Sequence, residues 1–366
     1  MAVGIALTRV THPSMRKLKQ ILLRAVLALA GFMAGSANAQ YGNLGFAQLP
    51  QVDGGKISLF YPTLAAEAPV RQGPFEFSWA AEAPPSFGNG RLIVISHGSG
   101  GSPWVHMDLA RVLVRRGFAV AFPQHQGDNV VDASSPGPAS WAKRPLEVSH
   151  AIDAVASYPP LSNLVSTDRV GVFGGSAGGH TALSLAGGAW SPARFRDHCE
   201  KHLREDFSSC VGFTTLLRND GFDSLKLWLA RLVIAWRFKD ETLQRHTDPR
   251  IQAAVAMVPF AADFDPASLA EPKIPLGLVI ASKDVNQVPQ FHAEAVAKVC
   301  EPRCEIILRL PEGGHGAMLS PMPPLAPGSV AQALLSDPPG FDRATAVPAV
   351  HQGIADFFAQ HLLPQR

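Results

Sequence analysis

The sequence has no strong excess of either charge: 32 Lys and Arg stand against 30 Asp and Glu, a formal charge of +2 over 366 residues. That lacks the basic footprint of a nucleic-acid binder, and no nucleic-acid partner is expected. Long hydrophobic runs are missing too. The apolar stretch near the start, Ala25 to Ala37, is too short to span a bilayer. There is no internal repeat and no long low-complexity tract. With 46% hydrophobic residues the chain can fill a core, which excludes disorder and collagen-like repetition. Cysteine is scarce, with only Cys199, Cys210, Cys300 and Cys304.

What charge there is lies unevenly. Residues 1–39 hold five of the 32 basic residues (Arg9, Arg16, Lys17, Lys19, Arg24) and no acid, which leaves the remainder near −3. A basic start, a short apolar run and the A-x-A sequence Ala37-Asn38-Ala39 read as a secretory signal peptide over 1–39, with Met15 an alternative start. The expected location is periplasmic or secreted. In an oxidising compartment an even number of cysteines reads as disulfides, and proximity pairs Cys199 with Cys210 and Cys300 with Cys304. Metal is the alternative for such short spacings, but no His or Cys pair sits at finger-type distance.

From residue 40 on, buried strands alternate with helices. Lys56–Tyr61 and Gly73–Ala81 are early strand candidates. Arg91–Ser96 (RLIVIS), Phe118–Phe122, Arg169–Phe173, Ile251–Val258, Pro275–Ala281 and Glu305–Leu310 are continuous apolar runs, as strands buried on both faces require. Helical spacing is found in His106–Arg116, Pro145–Ser157, Thr181–Gly187 and Val350–Leu362. The expectation is an α/β chain with a mostly parallel central sheet flanked by helices, in one domain over 40–366, because no linker divides the series. Residues 190–249 stand outside the alternation and read as a helical insertion over the strand ends. Its Trp228 and Trp236 are expected to dock it on the core; the alternative is that they line a pocket or touch a lipid surface transiently.

The chemistry concentrates in a few loops. Gly174-Gly175-Ser176-Ala177-Gly178 is a G-x-S-x-G pentapeptide between a buried strand and a helix. There a strained turn lifts the serine Oγ above the strand ends. A serine hydroxyl needs a base, and the base an orienting acid, in the order serine, acid, histidine. His315 fits the base, in the loop PEGGHG after the strand Glu305–Leu310. Asp284, directly after the strand ending at Ala281, is the first choice for the acid; Asp265 and then Asp263 compete. The oxyanion donors are expected to be the backbone N–H groups of Ala177 and of Ser99, in the loop His97-Gly98-Ser99-Gly100-Gly101. His97, His125 and His180 read as hydrogen-bonded supports. No cofactor or metal is called for.

The segments VISHGSGG (94–101), KRPLEV (143–148), RVGVFGGSAGGHTAL (169–183), DPRIQAAVAMVPF (248–260) and LPEGGHG (310–316) together resemble the α/β-hydrolase superfamily. The likeness is to bacterial serine esterases grouped with dienelactone hydrolases and platelet-activating-factor acetylhydrolase. It spans nearly all of the chain from about Lys56. It implies the α/β-hydrolase fold, with Ser176 as nucleophile, Asp284 as acid, His315 as base, Ser99 and Ala177 at the oxyanion hole, and Cys199 paired with Cys210. Two departures stand out. True dienelactone hydrolases use a cysteine nucleophile, so the lactone does not carry over. The Pro-rich stretch Pro321–Pro339 after His315 is also long. The resulting expectation is an exported serine hydrolase acting on a small or medium acyl ester, a lipid ester or a polyester. The alternatives are an exported peptidase of the same fold and an inactive hydrolase-fold binding protein.

Overall fold

A computed structural model describes residues 41–52, 54–212 and 221–365, which fall in one unit. The expected signal peptide lies outside the described residues. The described residues form ten strands: β1 (Asn43–Pro50), β2 (Lys56–Thr63), β3 (Ala68–Gln72), β4 (Phe75–Ala81), β5 (Arg91–Ser96), β6 (Ala119–Pro123), β7 (Ser166–Gly175), β8 (Ile251–Met257), β9 (Leu276–Ala281) and β10 (Glu305–Leu310). They form a single sheet in the order β10-β9-β8-β7-β5-β6-β2-β1-β4-β3. From β10 across to β6 every neighbour is parallel; β2 joins β6 antiparallel and begins the mixed edge.

The helices are α1 (Met107–Arg115), α2 (Pro138–Ala156), α3 (Ala177–Leu185), α4 (Pro192–His202), α5 (Phe207–Val211), α6 (Asp223–Arg237), α7 (Pro266–Leu269), α8 (Ala293–Cys300), α9 (Val330–Leu335) and α10 (Arg343–Leu362). Two cores lie on opposite faces of the sheet. In β5, Leu92 and Val94 join the core under α2, α3 and α8, while Ile93 and Ile95 join the one under α1 and α10. Side chains alternate across a strand, so a strand sandwiched between two helical layers must be apolar at every position. The same alternation explains the runs in β8 and β9.

Several boundaries differ from the expectation. The stretch Gly73–Ala81 is the second half of a hairpin: Gly73, at φ +59, turns β3 into β4. Helix α2 starts at Pro138, not near Pro145. Pro138 opens its first turn, where a missing N–H costs nothing, and Pro145 is accommodated inside the helix. In the same way α10 begins at Arg343, with Asp342 capping Thr345 N–H and Pro348 inside it.

Helices α4, α5 and α6 stand between α3 and β8. The Cys199–Cys210 disulfide ties α4 to α5, and Cys300–Cys304 closes the end of α8. Trp228 and Trp236 do not dock this segment: they are 55% and 75% exposed, and Leu227 and Ile234 are the buried residues of α6. Leu227 and Ile234 are seven apart, two helical turns on one face, whereas Leu225, Trp228, Leu232 and Trp236 share the other. Both faces of α6 are apolar, so its composition does not specify which one turns inward. No helix among the described residues is long and apolar enough to cross a membrane.

Candidate active site

Ser176 stands between β7 and α3 with φ +56 and ψ −119, a left-handed backbone for a residue with a Cβ. The turn is tight enough that a side chain at Gly174 would fall 1.9 Å from the Gly178 carbonyl oxygen. It is fixed by Ser176 N–H donating to Met257 O (3.1 Å) and by Ser176 O accepting from His180 N–H (3.1 Å) and Phe260 N–H (3.1 Å). Such strain persists only where the surroundings enforce it, and the packed β7–β8 pair and the glycines on both sides do so here.

His315 lies after β10, in a short 3-10 turn (His315–Met318). Its Nε2 is 3.0 Å from Ser176 Oγ, and its Nδ1 is 2.7 Å from Asp284 Oδ2. The other Asp284 oxygen accepts the backbone N–H groups of Asn286 (2.8 Å) and Gln287 (2.9 Å), which fixes the carboxylate toward the ring. All three side chains are buried. Neither competing acid takes this place. Asp265 caps α7 and pairs with Arg194, and Asp263 pairs with His180 (3.0 Å).

Ser99 and Ala177 face the same cavity as Ser176 and His315. Among the described residues neither backbone N–H has a protein acceptor. Gly98 brings the loop close: a Cβ there would meet Ser176 Cβ at 3.4 Å. The cavity measures about 1100 Å³, and its walls are mostly apolar, among them Trp104, Trp141, Ile234, Phe260, Met318 and Leu334. One face of α6, with Leu229, Ala230 and Val233, lines it as well.

Two features were not read from the sequence. Gln287 Nε2 lies 3.3 Å from Ser176 Oγ, a contact that exists only once the loop after β9 folds back over the site. Beneath the loop 97–101, Arg144 and Asp128 form a fully buried ion pair (2.8 Å). Here a signal was present, since Trp141, Arg144, Val148, Ile152 and Val155 recur at helical spacing and put one cation on an apolar stripe.

The supporting histidines are buried as well. His125 bridges Ser96 Oγ (2.7 Å) and Glu147 (2.6 Å). Burial, reinforced by Arg144, holds His97 and His125 well below the usual imidazole pKa. Burial also lowers His106 to about 4 and His351 to about 4. Each is thus protonated more readily in the unfolded chain, near 6.5, than in the folded one. Stability is therefore complete above about pH 6.5 and falls as the pH drops below it. His106 alone removes about 1 kcal/mol per pH unit across that window. Urea unfolding at pH 7, 6 and 5 is expected to lose at least about 2 kcal/mol between the end points, and an unchanged free energy would contradict this.

For a metal, His198, Asp206 and Cys210 come close together, but Cys210 is in the disulfide and Asp206 is satisfied by His198 (2.8 Å) and His292 (2.9 Å).

No curated protein matches the sequence. Among solved structures the fold is similar to a ferulic acid esterase from Streptomyces cinnamoneus, with 18% identity, 90% of this chain and 92% of that chain covered, and a TM-score of 0.56. At that identity the likeness concerns the fold. Residues 93–333, well over half of the chain and including Ser176, Asp284 and His315, match the model of the Alpha/beta hydrolase family, and the chain belongs to that family.

Proposed function

We propose that the protein is a serine hydrolase of carboxylic esters working through an acyl-enzyme. The observation that carries this is the chain Ser176–His315–Asp284, at 3.0 and 2.7 Å, opening into a large apolar cavity. His315 Nε2 takes the Ser176 proton as Oγ attacks the ester carbonyl. Asp284 holds the ring with Nδ1–H toward itself and stabilises the imidazolium. The N–H groups of Ser99 and Ala177 receive the developing oxyanion. His315 then protonates the leaving alcohol, and a water activated by the same nitrogen releases the acid.

The cavity favours a medium or bulky acyl group over acetyl, since its apolar walls reward each buried methylene. Lipid esters and polyesters remain within this class, and the outward apolar face of α6 beside the cavity supports contact with an apolar surface. Within the family, the proposal includes a resemblance to the esterases grouped with dienelactone hydrolases and platelet-activating-factor acetylhydrolase, supported by the quoted motifs. Export is part of the proposal, supported by the basic, apolar, A-x-A start and by two disulfides.

A panel of p-nitrophenyl esters from two to sixteen acyl carbons, with methyl ferulate and peptide anilides alongside, tests this reading. The expected result is kcat/KM rising with chain length by up to about fourfold per methylene until the cavity is filled. Methyl ferulate reports whether Trp104, Trp141 and Phe260 accept an aromatic acid. Cleavage of the anilides without the esters would favour the peptidase, and a folded protein inactive on everything would favour a binding protein.

A further inference from the structure

Arg144 is fully buried, on the inward face of α2, and makes hydrogen bonds with every nitrogen of its guanidinium. Nε donates to Ser140 Oγ (2.9 Å), Nη1 to the His97 carbonyl, and Nη2 to Asp128 Oδ2 (2.8 Å), to the Asp128 carbonyl (3.3 Å) and to the Gly98 carbonyl (3.5 Å). Asp128 continues the clamp from the other side. Its Oδ1 accepts Ser99 Oγ–H (2.5 Å) and Gly100 N–H (3.0 Å). The Gly98 carbonyl also accepts from Gly101 N–H (3.0 Å) and from His97 Nδ1 (2.8 Å). Three donors therefore converge on one oxygen.

That oxygen belongs to the Gly98–Ser99 peptide. A trans peptide is planar, so its N–H points opposite to its C=O. Anchoring the carbonyl in the buried cluster turns the Ser99 N–H away from it, and Ser99 lines the cavity with Ser176. Donors on the carbonyl also polarise the amide and strengthen its N–H as a donor. Burying a guanidinium and a carboxylate is costly, and apolar residues would pack α2 against this loop more cheaply. An orienting role explains why the charges are there.

We infer that the Arg144–Asp128 pair positions the oxyanion hole: it sets the direction and donor strength of the Ser99 N–H without touching the substrate. The inference rests on the esterase reading above. It predicts a defect confined to the tetrahedral state, because a planar ester carbonyl gains less from this N–H than an oxyanion does.

The test compares wild type with Arg144→Lys, which keeps the charge but lacks the planar fork that reaches several carbonyls at once. Active sites are counted by burst titration, and inhibition by an alkyl boronic acid, which forms a tetrahedral adduct on the serine, is measured beside kcat and KM. The expected result is kcat per active site about 10- to 100-fold lower, KM within about threefold, and the boronic-acid Ki raised in proportion to the loss in kcat. A variant with lower thermal stability but unchanged kcat per site and unchanged Ki would overturn the inference, leaving Arg144 a packing residue. If Arg144→Lys does not fold, Ser99→Ala decides. It keeps the N–H, loses only the bond to Asp128, and is expected to lower kcat about 3- to 10-fold at constant KM. Unchanged kcat there would overturn the inference as well. An inactive wild type would defeat the esterase reading itself, whereas an active wild type with an unaltered Arg144→Lys defeats only this inference.

Discussion

Ser176→Ala is expected to lower kcat on the best ester by about 100,000-fold or more while leaving the fold and KM nearly unchanged. On this proposal the loss is chemical, because removing Oγ removes the atom that forms the acyl-enzyme. Alanine keeps the Cβ and carries the same left-handed φ of +56, so no new backbone strain enters. What the variant retains is the cavity and the N–H groups of Ser99 and Ala177, enough for the residual acceleration such sites keep without a nucleophile. A melting temperature close to wild type, read beside the kinetics, separates this from misfolding. A variant retaining more than about one per cent of the activity would mean that another group attacks the ester.

Asp284→Asn is expected to cost about 10,000-fold in kcat. The Asn286 and Gln287 N–H groups can still hold the side-chain oxygen, so the position and shape of the side chain survive. The second oxygen, now an NH₂, faces His315 Nδ1 as a donor. It thereby favours the tautomer protonated on Nε2, which cannot accept the Ser176 proton. The control is Asp265→Asn, which keeps the cap on α7 and loses the partly exposed pair with Arg194. Its kcat is expected to stay within about twofold, since exposed ion pairs contribute little. Equal losses in both variants would remove Asp284 from the acid role.

The sequence made the centre of the sheet legible and left its margins obscure. Strands β5, β8, β9 and the second half of β7 are short apolar runs because both faces are covered. Strand β10, expected to be buried on both faces, is the edge of the sheet, and only Leu310 in it is buried. The ends of β7, β9 and β10 carry the loops of Ser176, Asp284 and His315. Strand β1 has no such signal: Asn43, Gly45, Gln48 and Pro50 interrupt it, and its place beside β2 is set by pairing across the sheet. Helix α6 shows the limit of periodicity. Two apolar faces compete there, and only tertiary packing into the core selects Leu227 and Ile234 over Trp228 and Trp236. The choice among Asp263, Asp265 and Asp284 was likewise tertiary. All three follow strands, and only the turn after β9 points a carboxylate at His315. Arg144 carried a readable sign, a cation on an apolar stripe, whose meaning appeared only with the carbonyls it gathers.

The most direct measurement is covalent. Purified residues 40–366, kept oxidised, are incubated with a p-nitrophenyl alkylphosphonate, and the intact mass and tryptic peptides are recorded. The expected result is one phosphonyl group per chain, on the peptide carrying Ser176, with loss of esterase activity in step with labelling. A folded protein left unlabelled, or labelled elsewhere with its activity gone, would contradict Ser176 as the nucleophile.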